Sequence, residues 1–229
     1  FNSVSKLISK IKPDEIINLS GSMNKNFFDE ILSTNIISSI NLYESLLKNK
    51  INPKLISVSS SAQYGIQNHK NLVRESDPRN PVNIYGISKM AQEKISNLYH
   101  QKGLNIVTIV PFNLIGPGIS ANLLPGRIIQ QFREILSRKK KKLVLGNYST
   151  VRDYLDVDDF SRGLILTLDK GISGESYNLC SGIATEIRSM IELFKKSLKL
   201  ESPVKFTENV STDIDLPYQV GDNKKIYEL

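Results

Sequence analysis

Two stretches of this chain, "KLISV" (Lys54–Val58) and "NIVTIV" (Asn105–Val110), are apolar with almost no alternation. A strand with one wet face alternates apolar and polar residues, whereas a near-continuous apolar run fits a strand buried on both faces. Such strands belong to parallel sheets, whose crossover connections cover both faces with helices. The intervening sequence supplies those helices. Asn24–Lys50 places Phe28, Ile31, Leu32, Ile36, Ile40, Leu46 and Leu47 at i, i+3/i+4 spacing with slips. Ile84–Gly103 has helical spacing and ends in the glycine expected at a C-cap. "EIINLS" (Glu15–Ser20) reads as a further strand, and "SVSKLISKI" (Ser3–Ile11) as a helix that stops before Pro13. The order strand, helix, strand, helix, strand predicts an α/β fold around a parallel sheet.

Beyond about residue 112 the rhythm loosens. Gly126–Arg138, Asp158–Lys170 and Glu186–Leu198 read as helices, and Lys142–Gly146, Glu175–Cys180 and Pro203–Phe206 as strands. The expected organisation is therefore a sheet domain over residues 1–112. Residues 113–229 mostly form a smaller C-terminal α/β lobe, interleaved with late strands of the main sheet.

Composition removes several classes of function. No apolar run approaches the ~20 residues a membrane helix needs, so no membrane partner is expected. The formal net charge is +7, and its densest block is "RKKKK" (Arg138–Lys142). That block suits a solvated helix end. It lacks the interleaved aromatics of a nucleic-acid surface, so no nucleic acid is expected either. A mildly basic chain fits an anionic small molecule. The single cysteine, Cys180, excludes an internal disulfide and fits a reducing compartment, so a cytoplasmic location is expected. His69 and His100 form no ligand motif, and no metal is expected.

The chemistry concentrates at strand ends. In open parallel sheets, ligands lie beyond the carboxyl ends of the strands. Three hydroxyls, Ser59, Ser60 and Ser61, follow the run ending at Val58. Asn113 follows the strand ending near Pro111, and Leu19, Ser20 and Gly21 follow "EIIN". Tyr85 and Lys89 stand four residues apart at the start of a helix, which puts them on one face. An ammonium beside a phenol is expected to lower its pKa and fit it for proton transfer. A serine hydroxyl could hold the substrate oxygen meanwhile.

Five motifs in order resemble the extended short-chain dehydrogenase/reductases that act on nucleotide-sugars. They are "SVSSSAQYG", "PVNIYGISK" (Pro81–Lys89), "VPFNLIGPG" (Val110–Gly118), "RDYLDVDD" (Arg152–Asp159) and "YNLCSG" (Tyr177–Gly182). Within that family, "GNYSTVRDYLDVDD", "GESYNLCSG" and "LPYQVGDNKKI" are most similar to the branch reducing GDP-4-keto-6-deoxy-mannose.

The resemblance implies a Rossmann-type sheet and NADP or NAD as cofactor. It implies Ser60, Tyr85 and Lys89 as the catalytic set, with Tyr85 as proton donor. Leu19, Ser20, Gly21 and Pro111, together with Tyr85 and Lys89, would border the cofactor. Ser61, Asn113, Arg127 and Arg152 would hold a nucleoside-diphosphate sugar, Arg152 through the planar fork that matches phosphate oxygens. It also implies a homodimer formed through a helix pair that includes Tyr85–Gln101.

Two departures matter. The chain begins with Phe1, and the family's Gly-rich phosphate loop has no convincing counterpart. "GPGISA" (Gly116–Ala121) matches G-x-G-x-x-A only formally. The first strands of the Rossmann sheet, with the segment choosing between NAD and NADP, are expected upstream of Phe1. Val110 and Thr212 replace arginines frequent in the family. Besides reduction, two readings stay open: a sugar-nucleotide 4-epimerase with the same residues, and a non-catalytic homologue that binds the sugar nucleotide.

Overall fold

A computed structural model describes residues 1–24, 27–67, 71–145, 149–200, 205–208 and 216–229. His69 and Thr212 lie outside the described residues. The elements are α1 (Asn2–Ile11), β1 (Glu15–Asn18), α2 (Phe28–Leu32), a π-helical turn (Ser33–Ile37), α3 (Ser38–Asn49), β2 (Lys54–Val58) and a 3-10 turn (Ser61–Gln63). Next come α4 (Ile84–Gln101), β3 (Ile106–Pro111), β4 (Asn113–Ile115), α5 (Leu124–Leu136), β5 (Lys142–Leu145), β6 (Val151–Arg152) and β7 (Tyr154–Asp156). The rest are α6 (Val157–Lys170), β8 (Ser176–Leu179), β9 (Thr185–Glu186), α7 (Ile187–Ser197), β10 (Lys205–Glu208), β11 (Tyr218–Gln219) and α8 (Lys224–Tyr227).

The main sheet has the order β1-β2-β3-β8, and every pairing in it is parallel. The near-continuous apolar runs are β2 and β3, its two inner strands, as burial on both faces requires. Alternate residues feed two cores. Leu55 and Ile106 pack with Ile8, Tyr43, Leu46 and Tyr99 of α1, α3 and α4. Ile56, Val58, Val107 and Ile109 face the other way, against Phe160, Leu164 and Leu168 of α6. A third core joins α5, β5 and α7 through Ile128, Phe132, Leu143, Leu145 and Ile191.

The slips in the apolar spacing of 24–50 have a structural cause. Helix α2 passes through the π turn into α3, and the wider turn offsets the apolar face. Pro111 sits in an inner strand at no cost to the ladder. The register pairs Val58, the last residue of β2, with Ile109, so β2 has already ended where the missing N–H of Pro111 would be needed. Strands β4, β6, β7, β9 and β11 are two or three residues long and have no counterpart in the sequence reading.

Candidate active site

The serine cluster marks the carboxyl end of β2, and each hydroxyl has a different environment. Ser59 is buried and donates to Gln63 Oε1 at 2.7 Å and to the Lys89 carbonyl at 3.1 Å, so it joins β2 to α4. Ser60 is half-buried and caps the 3-10 turn by accepting from the Ala62 amide at 3.3 Å. Ser61 is buried, and its carbonyl accepts from Gln219 Nε2 at 2.9 Å. Of the three, Ser60 is the one whose side chain acts on the Tyr85 phenol, pulling its pKa down.

Tyr85 reaches Ser60 because α4 starts against the 3-10 turn. Asn83 caps the helix, accepting from the Gly86 amide at 2.8 Å. A β-carbon at Gly86 would lie 2.6 Å from the Ala62 carbonyl oxygen, so only glycine permits this approach.

Burial raises the pKa of Tyr85, and the hydrogen bond from Ser60 only partly offsets it. The expectation of a phenol depressed by Lys89 is therefore reversed: desolvation dominates, and it is Ser60 rather than Lys89 that pulls the other way. At neutral pH Tyr85 keeps its proton. Lys89 is 4% exposed, and burial lowers its pKa to about 8. Its ammonium donates to the Val58 carbonyl at 3.0 Å and to Gln92 Oε1 at 2.9 Å. A β-carbon built on Gly21 would meet Nζ at 3.2 Å, so the loop after β1 closes over the lysine.

Asn35, in the π turn, holds that loop in place. Its side chain accepts from the Ser22 amide at 2.7 Å and donates to the Ser22 carbonyl at 2.9 Å and to Ser88 Oγ at 2.8 Å. Ser20 Oγ donates to Asn18 Oδ1 at 2.6 Å, and Leu19 is exposed.

The second side of the site centres on Asp153, which is fully buried. Its carboxylate accepts from Ser181 N at 2.8 Å, Ser181 Oγ at 2.7 Å, Gly182 N at 2.9 Å and Gly221 N at 3.3 Å. Asn113 Nδ2 donates to the Asp153 carbonyl at 2.9 Å. Arg152 is half-buried beside Gln219, its partner in the β11–β6 register, and Gln219 in turn holds Ser61. The structure thus places Ser60, Ser61, Tyr85, Lys89 and Gly21 around the β1 and β2 ends. Arg152 and Asn113 flank Asp153. Arg127 stands apart, exposed on α5, with Nη2 at 3.5 Å from its own loop's Asn122 carbonyl. Residues Gly116–Ala121 form turns after β4, and α5 starts only at Leu124, so "GPGISA" opens no crossover helix.

Asn35, Gln92, Asp153 and Gln219 were not singled out from the sequence. Gln92 alone had a local signal, three residues beyond Lys89 on the same helix face.

A family model described as "NAD dependent epimerase/dehydratase family" matches residues 1–180. The GDP-6-deoxy-D-talose 4-dehydrogenase of Aggregatibacter actinomycetemcomitans is 31% identical over 98% of this chain and 75% of its own length. The GDP-6-deoxy-D-mannose reductase of Pseudomonas aeruginosa is 30% identical over 82% of this chain and 64% of its own. The chain thus spans less than two thirds of that second relative. Among solved structures, RMD from Pseudomonas aeruginosa complexed with NADPH superposes with a TM-score of 0.86 at 24% identity, over 95% of this chain and 75% of that one. The UDP-glucuronic acid 4-epimerase of Bacillus cereus, with NAD, gives 0.86 at 25% identity over 99% and 71%.

Proposed function

Because the chain belongs to the NAD dependent epimerase/dehydratase family, we propose that it reduces a 4-keto-6-deoxy sugar carried on a nucleoside diphosphate, with Tyr85 as proton donor. One observation carries this reading: a part-buried phenol whose pKa burial raises and Ser60 lowers, four residues from a buried lysine. The relatives named for GDP-6-deoxy sugars support the substrate class.

The residues suit a nicotinamide cofactor. Lys89 is a buried cation at the end of a parallel sheet, where a hydroxyl-rich, anionic ligand would face it. Gly21 lies close against it, where even a β-carbon would come within 3.2 Å of Nζ. Lys89, Gly21 and Pro111 would hold the cofactor, which when bound supplies the hydride. Ser60 donates a hydrogen bond to the keto oxygen and fixes its position. Tyr85 Oη transfers its proton to that oxygen as the carbonyl becomes an alcohol. The resulting phenolate sits near the Lys89 ammonium, which lowers the cost of the charge. Solvent then returns the proton. Arg152 and Asn113 take the diphosphate, with Ser61 nearer the sugar.

The test uses the full-length protein with GDP-4-keto-6-deoxy-mannose and NADPH or NADH. Oxidation of one reduced cofactor per sugar reduced is expected. Interconversion of C4 epimers without net oxidation would make the chain an epimerase instead, and binding without either reaction would make it a non-catalytic homologue. In the same assay Arg152→Ala should raise KM far more than it lowers kcat, because a diphosphate contact is made equally in the ground and transition states. The lost charge-assisted bond corresponds to about 1.5–3 kcal/mol of binding. An unchanged KM would leave Arg152 a structural residue.

A further inference from the structure

We infer that Gln92 is a positioning residue for Lys89. Its amide, anchored on Ser39, holds the ammonium at the cofactor-facing end of α4 and keeps it charged.

The geometry is a short relay through the interior. Lys89 Nζ donates to Gln92 Oε1 at 2.9 Å, and Gln92 Nε2 donates to Ser39 Oγ at 3.0 Å. Ser39 Oγ in turn donates to the Asn35 carbonyl at 3.1 Å, in the π turn. All four residues are buried, and Asn35, Ser39 and Gln92 are completely so. Because Ser39 takes the amide's N–H, the amide must present its oxygen to the lysine. One end of the relay thus fixes which atom meets the ammonium at the other. A lysine alone has a long, mobile stem. Here two of its three N–H groups are assigned to fixed acceptors, the Val58 carbonyl and Gln92. The third remains for the side closed by Gly21.

The amide oxygen also acts on charge. Burial disfavours the ammonium, and an acceptor aimed at it opposes that penalty. Around Lys89, α4 offers Tyr85 and Gln92, β2 the Val58 carbonyl, and the α2–α3 segment Asn35 and Ser39. Among these described neighbours Tyr85 is the titratable one. Glu93, the next residue of α4 after Gln92, is paired with Arg79 at 2.8 Å. Gln92 is therefore the side-chain acceptor aimed at the lysine, whose pKa burial lowers to about 8. The charge is present below that pH and lost above it.

The inference rests on the reductase reading for its catalytic meaning, but its measurement does not. Titration of Lys89 by its 13Cε resonance, assigned by loss of the peak in Lys89→Arg, needs neither cofactor nor substrate. Gln92→Met keeps the volume and removes the acceptor, and should move the midpoint down by roughly one pH unit. Gln92→Glu puts a carboxylate at the same place and should move it up by a similar amount. The alkaline limb of kcat in the full-length enzyme should follow in the same two directions. Should Gln92→Met fail to fold, Gln92→Glu still gives the upward arm, and Ser39→Ala should give a smaller downward shift by freeing the amide. A midpoint unmoved by these variants, or moved the same way by Met and Glu, would overturn the assignment. Opposite shifts in an enzyme that reduces nothing would leave Gln92 in place and remove the reductase.

Discussion

Tyr85→Phe is expected to lower kcat by about 10²–10⁴-fold, the usual worth of a positioned proton donor, with substrate affinity nearly unchanged. The substitution removes one oxygen from a half-buried ring and leaves the Asn83 cap of α4 intact, so the variant should fold normally. The raised pKa of the phenol sharpens the expectation. A tyrosine that keeps its proton through neutral pH can donate it, and phenylalanine cannot. Steady-state kinetics with NADPH in excess measures the effect, with the melting temperature as control for folding. A variant that kept more than about half the wild-type kcat would take proton transfer away from Tyr85.

Asp153→Ala should be the most damaging single change to the fold. The carboxylate gathers donors from residues 181, 182 and 221, segments far apart in sequence. Alanine leaves the Ser181, Gly182 and Gly221 amides facing a dry void. An abandoned buried donor costs about 1–3 kcal/mol, so a total of roughly 3–5 kcal/mol is expected after relaxation. Asp153→Asn keeps one acceptor oxygen and should lose less. Urea unfolding of the three proteins side by side checks the order. An alanine variant as stable as the parent would show that water or neighbouring groups satisfy those amides.

What the sequence made legible follows from how each contact is encoded. Strands β2 and β3 announced themselves because burial on both faces leaves little alternation to misread. Tyr85 and Lys89 were legible because four residues on a helix fix a shared face. The serine triplet was legible because it ends a recognisable strand, and only the family resemblance chose Ser60 from it. The supports of these residues were not. Asn35 meets Ser88 across 53 positions, and Gln219 meets Ser61 across 158. No local pattern specifies such pairs, and an isolated Asn or Gln in a helix or a short strand looks like any solvated polar residue. The five shortest strands escaped for a different reason: two or three residues cannot show a period. The pKa of Tyr85 was misjudged because spacing reveals a neighbouring charge but not how much water has been excluded around it.

Asn35 has a mechanical consequence. Its one amide grips both backbone groups of Ser22 and the hydroxyl of Ser88. The loop after β1 is therefore not free to sample positions independently of α4. It can open only by detaching from the helix or by carrying the helix with it. Thermal displacements on the two sides of Lys89 should be correlated, so that the gap between them fluctuates less than either wall. A ligand entering that gap would find its width already set, and would have little disorder left to remove.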